Sequence, residues 1–410
     1  MSPTEFTALA EKTARYSSPV LASYAAIVRS GDFCFNYNIF VTLLTIYTVA
    51  VNQGVVSLTP GRGRGMLIDN MKVSVIATVL NEGPAIRRLL DSLAAQTRMP
   101  DEVVIVDGGS TDETVSILQA YAADNRLPLR VLVERGANIS RGRNVAIRAA
   151  SGDVIASTDA GVWLAPEWLA ELVAPFESKD PPQVVSGFFV PDPQSVFEIA
   201  MGATVLPALS DVNPEQFLPS SRSVAFSRAA WEASGGYPEW LDYCEDLIID
   251  FRLRELFHPF FFAPKAVAYF RPRSDLRSFF RQYYLYARGD GKADLWRKRH
   301  AIRYFTYLVA GPLLLILGWL VSPWWWLVGI GLATGGMFMT PYRRLWPMIR
   351  SLGWARRVQA ILWVPVIRVT GDIAKMIGYP VGWLWRIRRL PSQPELRWRD
   401  SQPVSKTSMH

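Results

Sequence analysis

Three short stretches decide the fold: Lys72-Val-Ser-Val-Ile-Ala-Thr-Val79, Glu102-Val-Val-Ile-Val-Asp107 and Asp153-Val-Ile-Ala-Ser-Thr158. Each is a run of apolar, largely β-branched residues, as a strand buried on both faces of a parallel sheet requires. Leu129–Glu134 is a weaker fourth strand. Helical spacing lies between them. Ala85–Gln96 repeats Ile86, Leu89, Leu90 and Leu93, and Thr111–Asn125 repeats Val115, Ile117, Leu118 and Tyr121. Ile139–Ala150 is a third helix. Alternating strand and helix predicts an α/β protein with a doubly wound parallel sheet. In such sheets ligands bind beyond the carboxyl ends of the strands.

Polar residues stand at those ends. Asn81-Glu82-Gly83 follows the first strand, Asp107-Gly-Gly-Ser-Thr-Asp112 the second, and Thr158-Asp-Ala-Gly161 the last. A carboxylate at the end of a buried strand is costly unless it is paired or used. Asp107 has two readings, a cap on the following helix or a ligand-binding group. Ser110 and Thr111 can also cap that helix, which leaves Asp107 for a ligand. A G-x-G-x-x-G loop is absent from this unit, which argues against a nicotinamide dehydrogenase.

Composition narrows the chemistry. The chain has 410 residues, two cysteines (Cys34 and Cys244) and three histidines. This excludes a disulfide framework and a Cys/His metal cluster. A catalytic metal would take carboxylate ligands, so Mg²⁺ or Mn²⁺ is expected. The net charge of +8 is unevenly spread, because residues 297–399 carry sixteen Lys/Arg against two acids. The rest is an acidic body. A basic tail fits nucleic acid or an anionic membrane surface.

The membrane reading wins. Tyr304 to Thr340 contains no charged residue over 37 positions, and Ser322-Pro323 splits it into two limbs. Each limb nearly spans a hydrocarbon core of about 30 Å. Trp324, Trp325 and Trp326 stand at the turn, where indoles favour the interface. Gly331 and Gly335 allow close helix approach. Basic residues flank both ends (Arg297, Lys298, Arg299 and Arg303; Arg343, Arg344, Arg350, Arg356 and Arg357). By the positive-inside rule both ends, and the acidic body, lie in the cytoplasm. In the apolar stretch 358–385, Arg368, Asp372 and Lys375 recur on one helical face, which predicts a helix lying in the interface, with a third spanning helix as the alternative. Ile39–Val51 is too short to span, and Gly61-Arg-Gly-Arg-Gly65 reads as a linker. Met66 and Met71 sit just before the first strand, so residues 1–65 are expected outside the catalytic unit.

Taken in order, Val73-Ser-Val-Ile-Ala-Thr-Val-Leu-Asn-Glu82, Val104-Val-Ile-Val-Asp-Gly-Gly-Ser-Thr-Asp112, Ser140-Arg-Gly-Arg-Asn144, Thr158-Asp-Ala-Gly161, Gly235-Gly-Tyr-Pro238 and Cys244-Glu-Asp246 resemble glycosyltransferase family 2, the inverting enzymes of GT-A fold. The resemblance covers about residues 73–291. It implies a nucleotide-sugar donor bound by Asn81, Glu82, Asp107, Arg141, Arg143 and Asp159. It makes Asp159 the ligand of a divalent cation, although Gly161 replaces the second carboxylate of the D-x-D motif. It makes Asp246 the catalytic base, oriented by Glu245. The Q-x-x-R-W motif of processive synthases is missing. Arg281, Tyr284, Arg288 and Asp290 stand in the corresponding region as acceptor-binding candidates.

The chain is therefore expected to comprise an N-terminal extension (1–71), a GT-A domain (72–295), a membrane anchor (296–390; hairpin 304–340, interfacial or third helix 358–385) and a disordered tail (391–410). The expected activity is sugar transfer to a hydroxyl on a lipid-linked or membrane-proximal glycan, in cell-envelope polysaccharide biosynthesis, with membrane lipids and no nucleic acid as partners. A polyprenyl-phosphate acceptor is the alternative; an inert nucleotide-sugar-binding scaffold is the reading from another class.

Overall fold

The structure, a computed structural model, describes residues 71–399. The readings of Ile39–Val51, the Gly61–Gly65 linker and the tail 400–410 lie outside the described residues.

Four strands form the first half of an eight-stranded sheet: β1 (Val73–Val79), β2 (Glu102–Asp107), β3 (Leu129–Val133) and β4 (Val154–Ser157). They are parallel, in the order β3-β2-β1-β4. The apolar runs are buried on both faces. Val75 and Ala77 enter one core with Leu89, Leu93 and Leu118, while Ile76 enters the other with Val104, Ile147 and Phe226. The register pairs Val79 with Asp107, so the carboxyl ends of β1 and β2 arrive together.

Helices α1 (Ile86–Ala94), α2 (Thr114–Ala123) and α3 (Ile139–Ala149) connect these strands. Helix α2 starts later than its apolar spacing predicts. Asp112 accepts hydrogen bonds from the backbone N–H of Thr114 (3.0 Å) and from its hydroxyl (2.5 Å), so residues 111–113 form a turn.

The second half corrects the expectation of a purely parallel sheet. Strands β5 (Val162–Leu164), β6 (Val184–Pro191), β7 (Val224–Ser227) and β8 (Phe261–Phe270) complete it in the order β4-β7-β6-β8-β5. Pairs β4–β7, β7–β6 and β8–β5 are antiparallel and β6–β8 is parallel. Short helices α4 (Trp168–Val173), α5 (Val196–Val205) and α6 (Arg228–Ser234) sit among them, followed by α7 (Glu245–Phe257) and α8 (Leu276–Ala293). The sequence beyond residue 161 lacks regular alternation, because a mixed sheet does not repeat one βα unit.

Beyond α8, helix α9 (Arg297–Phe305) passes through a π-helical turn (Thr306–Ala310) into α10 (Gly311–Leu320). After Ser322-Pro323 come α11 (Trp324–Ala333), a second π-helical turn (Thr334–Phe338) and α12 (Met339–Ile349). The Trp326 indole N–H donates to the carbonyl of Leu315 across the bend at 3.2 Å. By length and composition, one helix among the described residues, Arg297–Leu320, is apolar enough to cross a membrane.

Helix α13 (Trp354–Arg389) corrects the interfacial-helix reading in one respect. Its polar face does not point outward. Asp372 is buried, ion-paired with Arg303 (2.7 Å) and Arg368 (3.2 Å) and hydrogen-bonded by the Tyr307 hydroxyl (3.1 Å). Lys375 lies over the Tyr283 ring. The exposed face is the apolar one, with Leu362, Val366, Ile373, Ile377 and Val381. The inner face packs on α8 through glycines: a Cβ on Gly378 would stand 2.2 Å from the Tyr284 carbonyl oxygen, and one on Gly382 2.0 Å from that of Arg288. Residues 391–399, expected to be disordered, are folded. Leu396 and Trp398 are buried, and Trp398 packs with Leu241, Ile248 and Ala293.

Candidate active site

The site lies at the carboxyl ends of β1, β2 and β4. One wall is two loops laced together. Asn81, with φ of 54°, accepts from the backbone N–H of Thr111 at 2.9 Å and donates its own backbone N–H to Ser110 Oγ at 2.8 Å. The Thr114 hydroxyl accepts the backbone N–H groups of Glu82 (3.0 Å) and Gly83 (2.8 Å).

Asp107 is fully buried. Its Oδ2 accepts from the N–H groups of Gly109 and Ser110, each at 2.8 Å, and its Oδ1 accepts from the Ser110 hydroxyl. The carboxylate thus orders its own turn. This is the turn role weighed in the sequence reading, and donor binding by Asp107 belongs to the proposal below. Burial, followed by the charge of Asp159, raises the Glu82 pKa.

Helix α3 joins the two halves of the site. Asn138 caps it and donates to the Glu239 carbonyl at 2.7 Å. Asn144 donates to the Tyr237 carbonyl (2.8 Å) and accepts its N–H (2.9 Å), pairing with that backbone as a strand would. Between them Arg143, with 2% of its side chain exposed, bridges Glu245 Oε1 (2.6 Å) and Asp159 Oδ1 (2.7 Å). Burial works against its charge, yet Asp159 and then Glu245 more than offset this and raise its pKa. The Tyr237 ring lies beneath it. Arg141, two residues earlier, points elsewhere and pairs with Glu134 at 2.5 Å on the surface. Of the two arginines expected at the donor, only Arg143 enters the site.

Helix α7 begins with the candidate base. Cys244 adopts the left-handed conformation (φ 65°), so that Glu245 and Asp246 occupy the first turn, where the helix dipole favours carboxylates. Burial raises the pKa of Asp246 against the opposing charges of Arg143 and Arg222. Glu245 is pushed up to about 7 by burial, which outweighs the pull of Arg143. Asp246 retains some exposed surface. One turn on, Asp250 is buried, its Oδ2 has no hydrogen-bond partner among the described residues, and burial raises its pKa well above the ordinary range.

The acceptor-side candidates separate. Arg288 and Asp290 reach the loop before α7. Arg288 lies 3.5 Å from Asp242, while Asp290 accepts from Cys244 Sγ at 3.5 Å and pairs with His300 at 3.2 Å. The carbonyl of Tyr284 meets Gly378 on α13, and Arg281 is exposed. Two residues that the sequence reading missed stand at the site instead. Arg222 Nε is 3.6 Å from Asp159 Oδ2, and the charge of Arg222 bears on the Tyr286 hydroxyl. Arg222 lies in a serine-rich loop with no motif. Tyr286 lies within the stretch already singled out, two residues from Tyr284.

Residues 74–218 match the sequence profile of Glycosyl transferase family 2. The validoxylamine A glucosyltransferase of Streptomyces hygroscopicus subsp. limoneus is 32% identical over 119 residues, which are 28% of this chain and 26% of that protein. The poly(ribitol-phosphate) beta-N-acetylglucosaminyltransferase TarS of Staphylococcus aureus is 34% identical over 106 residues, 25% of this chain and 18% of that protein. The profile match is confined to the first part of the α/β domain, and the chain spans about a quarter or less of the length of these relatives. Among solved structures, the mannosyltransferase PcManGT from Pyrobaculum calidifontis, in complex with GDP-Man and Mn²⁺, is 22% identical with a TM-score of 0.47, covering 77% of this chain and 88% of that one.

Proposed function

We propose that the protein is an inverting glycosyltransferase that moves a sugar from a nucleoside diphosphate to a hydroxyl on a lipid-linked or membrane-proximal glycan. The observation that carries this reading is the placement of Asp246. The carboxylate keeps some exposed surface, has a raised pKa, and feels the charges of Arg143, Arg222 and Asp159, while its neighbour Glu245 shares the buried Arg143 guanidinium with Asp159. A base of this kind takes the acceptor proton as the hydroxyl attacks, and a pKa moved toward neutrality improves it. Glu245 and Arg143 position the helix that carries it. The laced loops 81–83 and 107–114 form the donor wall, with Asn81 and Glu82 at its edge.

Family resemblance implies Mg²⁺ or Mn²⁺ at Asp159. That carboxylate is already paired with Arg143 and approached by Arg222, Gly161 supplies no second one, and no cluster of three or more His, Cys, Asp or Glu gathers among the described residues. Two guanidiniums at one carboxylate do not fit a divalent-cation site. No step is routed through a metal here.

Anchoring in the cytoplasmic membrane, with the catalytic domain in the cytoplasm, is part of the proposal. Its support is the apolar surface of α10, α11 and α13, where Trp319 is 83% and Leu320 78% exposed. Patches of this kind mark membrane or protein contact. The apolar face of α13 would lie in the lipid interface beside Arg386, Arg388 and Arg389, with the hairpin inserted. The deciding experiment compares Asp246→Asn with the parent protein, using membrane extracts as acceptor and labelled nucleotide-sugars as donors. Loss of transfer with intact nucleotide binding is expected, and near-parental transfer sinks the assignment of the base.

A further inference from the structure

Arg222 precedes β7 and faces Asp159 from the side opposite Arg143. Its guanidinium lies over the Phe270 ring at 4.7 Å and near the Phe189 ring at 5.8 Å. It donates to Ser220 Oγ at 3.3 Å and lies near Tyr286. The side chain is 25% exposed, against 2% for Arg143, whose two terminal nitrogens are spent on Glu245 and Asp159. Arg222 is thus the more accessible of the two arginines at Asp159, and it sits on an aromatic floor. A planar guanidinium of this kind matches phosphate oxygens. Gly161, where a second metal-binding carboxylate was expected, has no atom within 4 Å of a built Cβ. One side of the cleft therefore lacks a metal ligand, and another offers a preorganised cation.

We propose that Arg222 binds the donor's diphosphate and neutralises the charge that builds there, in place of a carboxylate-held metal. The inference rests on the nucleotide-sugar reading above. In the transfer, the acceptor oxygen bonds to the anomeric carbon as the bond from that carbon to the β-phosphate oxygen breaks. The bonding pair leaves on the nucleoside diphosphate beside Arg222, and the acceptor proton passes to Asp246. Fixed donors aimed at developing charge stabilise such a step without reorganisation.

The test uses the purified full-length protein and measures calorimetric binding of UDP, GDP and dTDP, each in EDTA and in Mn²⁺. The expected result is that at least one diphosphate binds in EDTA with an affinity that Mn²⁺ barely changes. Arg222→Gln should weaken that binding by about tenfold to a hundredfold, as loss of a charge-assisted hydrogen bond does. Arg222→Lys keeps the charge without the fork, so it should fall between the two while melting like the parent. In Gly161→Asp, affinity should become responsive to Mn²⁺. Binding that strictly requires Mn²⁺ in the parent protein, or that survives both Arg222 substitutions, overturns the role of Arg222 but leaves the glycosyltransferase reading standing. Failure of every diphosphate in both conditions overturns that reading, and this inference with it.

Discussion

The two halves of the cleft are held by different means. On the donor side, the groups that shape the wall are neighbours in sequence. Asp107 orders residues 109 and 110, Asp112 orders Thr114, and Asn81 ties to Thr111 across one βαβ unit. On the acceptor side the decisive contacts are remote in the chain. Arg143 meets Glu245 across 102 residues and Asn144 meets Tyr237 across 93. A wall built from one loop and its neighbour survives loss of a distant partner. A wall assembled around one buried arginine does not.

The sharpest way to separate the halves is Asp246→Asn. A lost general base should lower kcat by about 10²–10⁴-fold, while nucleoside diphosphate affinity stays at the parental value. If affinity falls with rate, the halves do not act separately. Arg143→Met comes next. It leaves Glu245 and Asp159 without their shared partner, and breaking a buried pair in this way costs about 3–5 kcal/mol. Urea unfolding should show that loss, and a shift the size of a surface substitution would refute the hub. Gly382→Ala forces a methyl against the Arg288 carbonyl and should destabilise the α8–α13 junction by about 1–3 kcal/mol. Diphosphate binding should survive, since the donor loops do not touch that junction.

The smallest effect is in pH. A base must be ionised, so kcat/KM falls as pH drops through its pKa. With Asp246 raised by burial, this acid limb should lie above the ordinary carboxylate range. Glu245, pushed up to about 7, is charged only at the top of that limb, so Glu245→Gln should move the limb only slightly, toward lower pH. Movement in the opposite direction would mean that another group controls the limb.

How much of this was legible in the sequence follows the same division. Strands β1, β2 and β4 read directly from their apolar runs, because a strand covered on both faces has no polar alternation to hide it. The helices between them read from spacing, apart from the start of α2, where a side-chain turn displaced the first residues. The antiparallel half of the sheet did not read, since its strands pair with partners far along the chain. Asp246, the proposed base, was marked by its motif. Arg222 was not, because nothing near residue 222 marks it, and only the fold brings it to Asp159. The polar residues of α13 were visible as a face, but periodicity does not say which way a face points.

By itself, then, the sequence determined the parallel α/β core, the polar loops that follow β1 and β2 and the uncharged segment near the C-terminus. These depend on local burial and turn chemistry, which act over a few residues. The tertiary structure decided that Arg143 is a buried bridge, that Arg141 is on the surface, that Asp107 serves its own turn and that Asp372 faces inward. Each of those outcomes depends on which distant charge or carbonyl is nearest once the chain has folded, and ion pairing and desolvation answer to distance in space.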